Sequence, residues 1–126
     1  MKLSEAQYTY IKARALYETL KETFRKERDD TGLTARIETA FESGDDTETD
    51  KLLDQELNIR DRLGLSKAAE AMFSAEDNLI GTFRSTMRLY PQYDKNKTDL
   101  DKLFDNYKHH PRIRDGLINL ALKFKE

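Results

Sequence analysis

The sequence predicts an all-α chain, a compact bundle of five to six helices with two long ones, about residues 4–29 and 66–89, antiparallel at its centre. Three observations predict it. Leu3, Ala6, Tyr10, Ala13, Tyr17, Leu20 and Phe24 recur at alternating spacings of three and four, an uninterrupted heptad seam. Only five glycines and two prolines interrupt 126 residues rich in Leu, Ala, Glu, Lys and Arg, which favour helix. Valine is absent and no stretch alternates with period two, so no sheet is expected. The length suits one helical domain over residues 1–126, large enough to bury a core without disulfides.

The first helix is expected from Ser4, as N-cap, to about Asp29, where Asp29-Asp30-Thr31-Gly32 ends it. Its alanines face large rings along the seam and allow close approach of a neighbouring helix. Leu16 widens the stripe on one side. Tyr8 lies on the opposite flank, suited to a partner surface.

The second helix, about Thr34 to Ser43, sets Leu33, Ile37 and Phe41 at i, i+4, i+8 with Ala40 beside them, and Gly44 suits its C-terminal end. The acidic stretch Asp45 to Asp50 then caps a third helix, about Thr49 to Leu63, with Leu52, Leu53, Leu57, Ile59 and Leu63 as its apolar side. A calcium loop fails here, because the glycine it needs at its sharp turn is missing in either register.

Ser66 is read as the cap of the fourth helix, which buries Ala69, Met72, Phe73, Leu79, Ile80, Phe83 and Met87 and ends at Pro91. Gly81 inside it is read as a point of close contact with another helix. Asp94-Lys95-Asn96-Lys97 reads as a polar linker. Thr98 and Asp101 resemble a capping box for a helix using Leu100, Leu103, Phe104 and Tyr107. Pro111 suits the first position of a last helix that buries Ile113, Leu117, Leu120, Ala121 and Phe124.

Composition narrows function by exclusion. The chain has no cysteine, which removes disulfides, thiolate metal sites and cysteine nucleophiles together. There is no Gly-x-Ser-x-Gly, Walker loop or Gly-x-Gly-x-x-Gly, and no Glu-x-x-His or His-x-x-x-His pair. No catalytic residue, metal ligand or cofactor is expected. Met1-Lys2-Leu3-Ser4-Glu5 runs straight into amphipathic sequence, and no apolar run approaches the ~20 residues that span a bilayer, so a cytoplasmic protein without membrane attachment is expected.

Charge is balanced overall, with a formal net of −2, but uneven along the chain. Residues 31–65 hold four basic side chains against nine acidic. From Lys108 onward there are five basic and two acidic. Lys108, His109, His110, Arg112 and Arg114 gather beside Tyr107 at a helix N-terminus, where phosphate binds well. Arg84 and Arg88, one turn apart, precede Tyr90 and Tyr93. Arginine and tyrosine together can contact an RNA backbone and stack bases.

Two functional expectations follow. The first is a non-enzymatic protein-interaction module, a small helical accessory subunit or adaptor that binds another protein or a second copy of itself. The alternative is a small RNA- or DNA-binding subunit using Arg84, Arg88, Lys108, His109, His110, Arg112 and Arg114.

Overall fold

The computed structural model describes residues 2–125 and is all-α, with no strand among those residues. Its helices are α1 (Leu3–Asp30), α2 (Leu33–Glu42), α3 (Asp46–Leu63), α4 (Leu65–Met87), α5 (Pro91–Lys95), α6 (Lys97–Asn106) and α7 (Pro111–Lys123). A 3-10 turn, Tyr107–His109, joins the last two. Among the described residues the helix beyond the expected six is α5, which takes in Asp94 and Lys95 of the expected linker. Pro91 sits at its start, where a missing N–H costs nothing, and only Asn96 separates α5 from α6.

Helix ends follow local chemistry. At the end of α2 the Gly44 amide bonds the Phe41 carbonyl and the Asp45 amide bonds the Ala40 carbonyl, a Schellman closure that needs the positive φ of Gly44, 73°. Asp45 then caps α3, its side chain accepting from the Glu48 amide at 3.0 Å. The acidic turn therefore acts as the expected cap, and α3 begins at Asp46, three residues before the expected Thr49. Ser4 and Ser66, expected as caps, lie inside the first turns of α1 and α4 instead. The capping box at Thr98 does not form: Asn96 occupies the N-cap of α6 without a side-chain capping bond, its side-chain amide donating to the Gln92 carbonyl instead, and Asp101 is drawn to other partners.

The chain divides into two compact units. Arg14–Ala71 forms one, and the remainder forms the other. Both α1 and α4 run through both units. In the discontinuous unit, Leu3, Ala6 and Tyr10 share a core with Ala75, Leu79, Ile80, Phe83, Tyr93, Phe104, Leu117 and Ala121. Gln7 Nε2 donates to the carbonyls of Ala121, at 2.7 Å, and Phe124, at 3.0 Å, serving groups that the end of α7 leaves open. In the continuous unit, Tyr17 and Phe24 of α1 line one cavity with Leu65 and Ala69 of α4. Within the discontinuous unit the start of α1 thus meets the later part of α4, and within the continuous unit its end meets the early part. The α2–α3 hairpin closes on a small core of Leu33, Ala40 and Leu52, with Ile37 and Ile59 against it.

Several residues expected in the core are outside it, for one reason. Neighbours in a helix point about 100° apart, so an adjacent apolar pair cannot both face inward. Ala40 is taken over Phe41, Leu52 over Leu53, Met72 over Phe73, Phe104 over Leu103 and Ala121 over Leu120. Leu57 follows Leu52 by five positions and turns outward with Leu53. Leu16 is exposed as well, while Ile118, not expected inside, is buried. The reading of Gly81 is also corrected: a Cβ built there meets nothing within 4 Å, so no close helix contact requires the glycine.

Candidate functional site

Arg84 and Arg114, both expected to be available to a nucleic acid, are each held by carboxylates of their own unit. Arg84 leaves α4 toward α6, where Nη1 reaches Asp105 Oδ1 at 2.9 Å and Nη2 reaches Asp101 Oδ1 at 3.0 Å. Its guanidinium lies over the Phe104 ring, 5.4 Å from the centroid. The buried Tyr93 donates its hydroxyl to the same Asp101 oxygen. Burial opposes the Arg84 charge, but hydrogen bonds to Asp105 and Asp101 outweigh it and raise its pKa above the ordinary value. The Tyr93 hydroxyl and then Arg84 hold the Asp101 carboxyl below its ordinary range.

Arg114, on α7, lies 3.5 Å from Glu76 Oε2 and 3.7 Å from Asp77 Oδ1, with its guanidinium over the Tyr107 ring. The Tyr107 hydroxyl donates to Asp77 at 3.0 Å. Burial, then this bond, pushes the Tyr107 pKa up to about 12. Glu76 is a buried carboxylate, only 7 % exposed. Burial raises its pKa, and Arg114 opposes that rise. Both arginines are thus paired within their own unit, although the Nε of Arg84 is buried without a hydrogen-bond partner.

The other five cations expected to act are exposed: Arg88, Lys108, His109, His110 and Arg112. Arg88 contributes to keeping Asp101 ionised. Lys108 and His109 lie in the 3-10 turn, and His110 is the N-cap of α7 without a side-chain capping bond. The exposed cations therefore concentrate in Lys108–Arg112, at the start of α7. Among the described residues no group of three His, Asp or Glu could hold a metal ion, and no helix is long and apolar enough to cross a membrane.

The hairpin α2–α3 offers a different kind of surface. Phe41 is 76 % exposed, Leu57 53 % and Leu53 47 %. Leu53 and Leu57 are one turn apart on α3 and form a continuous apolar strip. Four further cations escaped the sequence reading: Lys21, Arg25 and Arg28 on α1, and Arg60 on α3, which line one cavity. Their signal was present, since Lys21, Arg25 and Arg28 stand at i, i+4, i+7 beside the heptad seam.

Fold and surfaces together define an all-α chain with two carboxylate-paired arginines, exposed apolar side chains on the α2–α3 hairpin and a basic cavity. No family model, curated protein or solved structure matches this chain.

Proposed function

We propose that this chain is a non-enzymatic protein-interaction module, a small helical accessory subunit or adaptor whose partner covers the α2–α3 hairpin. The observation that supports it is the balance of that hairpin. Phe41, Leu53 and Leu57 stand in water, while its fully buried apolar set is Leu33, Ala40 and Leu52. Aromatic and aliphatic side chains left out of a small core are the anchors from which interfaces are built.

The test compares the wild-type chain with a Phe41→Ser/Leu57→Ser variant. Light scattering over a concentration series reads self-association, and affinity capture reads a partner. A self-complex or a captured protein that is lost in the variant, with helicity unchanged, supports the proposal. A monomeric wild type whose captured proteins are the same as the variant's overturns it.

A second reading rests on the exposed Lys108–Arg112 segment, which places Lys108, His109, His110 and Arg112 at the start of α7. It makes the chain a small RNA- or DNA-binding subunit, with Arg88 as a further contact and Arg84 and Arg114 as structural supports. Binding to single-stranded RNA that weakens steeply with salt, and weakens further in Lys108→Gln/Arg112→Gln, supports it. No binding at low salt removes it.

A further inference from the structure

Within Arg14–Ala71 a cavity of about 260 Å³ opens between α1, α3 and the start of α4. Lys21, Arg25, Arg28 and Arg60 line it together with Phe24 and Ser66, and no carboxylate does. This concentration runs against the unit's own charge. Residues 14–71 contain ten basic and fifteen acidic side chains, yet four of the ten cations converge here.

The nearby acids pair with two of the four cations. Glu22 pairs with Arg25 at 2.7 Å and Glu56 with Arg60 at 3.7 Å. Among the described residues, Lys21 and Arg28 have no ion-pair partner. The Nε of Arg28, like that of Arg84, is buried without a hydrogen-bond partner. The guanidinium carbons of Arg28 and Arg60 lie over the Phe24 ring, 5.5 and 4.8 Å from its centroid. Ring contact orients both planar groups and limits the entropy lost when they bind.

Leu65 and Ser66, in the first turn of α4, line the same cavity. The first hydrogen bond of this helix runs from the Ala68 amide to the Gly64 carbonyl. The amides of Leu65, Ser66 and Lys67 precede it and have no acceptor within the helix. They bring the positive end of a 23-residue helix, and Ser66 adds a hydroxyl.

We propose that this cavity binds the phosphoryl group of a small soluble molecule. A phosphoryl group carries close to two negative charges and three acceptor oxygens, which suits several convergent cations and amides better than a single carboxylate would. The acidic surroundings select for size. They repel an extended polyanion, whereas a small anion enters a cavity whose lining is basic. This site is independent of the hairpin surface and of Lys108–Arg112.

The experiment titrates the full chain with inorganic phosphate, inorganic pyrophosphate and ribose 5-phosphate, and separately with single-stranded RNA. It is followed by calorimetry and by amide NMR shifts. Saturable one-to-one binding of a small phosphate, with the largest shifts at Leu65, Ser66 and Lys67, is expected. Phosphate alone would identify the free ion as the source, and tighter binding of ribose 5-phosphate a phosphorylated metabolite. Arg28→Gln and Lys21→Gln should each weaken binding about tenfold, the usual worth of one charge-assisted bond, and Lys51→Gln, outside the cavity, should leave it unchanged. The wild-type shifts remain decisive should Arg28→Gln disturb packing on Phe24. Absence of saturable binding by all three phosphates, shifts confined to other residues, or binding of RNA alone would overturn the proposal.

Discussion

Tyr93 and Arg84 share one acceptor. The Tyr93 hydroxyl donates to Asp101 Oδ1, and Arg84 Nη2 donates to the same oxygen at 3.0 Å. One carboxylate on α6 thereby ties α5 to α4, and its ionised form is the one that both donors favour.

Asp101→Asn should therefore cost stability in a pH-dependent way. A carboxyl held below its ordinary pKa stabilises the fold above that ordinary range, and the contribution is lost as pH falls through the lowered value. Urea unfolding should show the variant weaker than wild type at pH 7, with the gap closing toward pH 3. A gap of constant size across that range would contradict the arrangement.

Glu76→Gln should show the opposite sign. Burial lifts the Glu76 pKa above 4.5, so the folded state prefers the protonated form. Stability from this group is fully present below the ordinary value and is lost as pH rises through the raised one. The neutral variant should be more stable than wild type at pH 7 and equal to it near pH 3. A variant weaker than wild type at pH 7 would mean that the bond to Arg114 outweighs desolvation.

Two glycines should respond in opposite directions to alanine. Gly81→Ala, in the interior of α4 with open space around it, should add about 0.5–1 kcal/mol. Gly64→Ala, at a φ of 71°, should lose about 1 kcal/mol, because a Cβ strains the left-handed conformation. Thermal unfolding of both variants checks the pair, and a destabilised Gly81→Ala would restore the close contact that the structure lacks.

Paired leucines should separate as well. Leu79→Ala, fully buried, should cost about 2–5 kcal/mol. Leu120→Ala, more than half exposed, should stay within about 0.5 kcal/mol. Chemical denaturation would show whether α7 presents Leu120 to solvent, since comparable losses would place both side chains inside.

Legibility in the sequence followed the length of the pattern. The seam from Leu3 to Phe24 has seven members over three heptads, so one helix face is over-determined, and its extent emerged within a residue at each end. In the shorter helices each apolar pair had two possible inward members, and only packing decides between Leu52 and Leu53 or between Ala121 and Leu120. The site was harder for a related reason. Sequence shows that Arg84 and Arg114 are charged, but not that Asp101, Asp105, Glu76 and Asp77 stand against them, because such pairs join positions 17 to 38 residues apart. Arg60 likewise joins Lys21, Arg25 and Arg28 only through folding.

The division of the chain into Arg14–Ala71 and the remainder sets an order for synthesis. As the polypeptide leaves the ribosome, Leu3, Ala6 and Tyr10 emerge before their partners, which lie between Ala75 and Ala121. The intervening unit has every one of its own residues available once Ala71 is out, and it can settle while the apolar start of α1 still waits. For the time needed to translate some fifty further residues, at about 5–20 per second, that leading segment is an unfinished surface. A nascent-chain chaperone would find its target there, in a stretch that the completed protein buries.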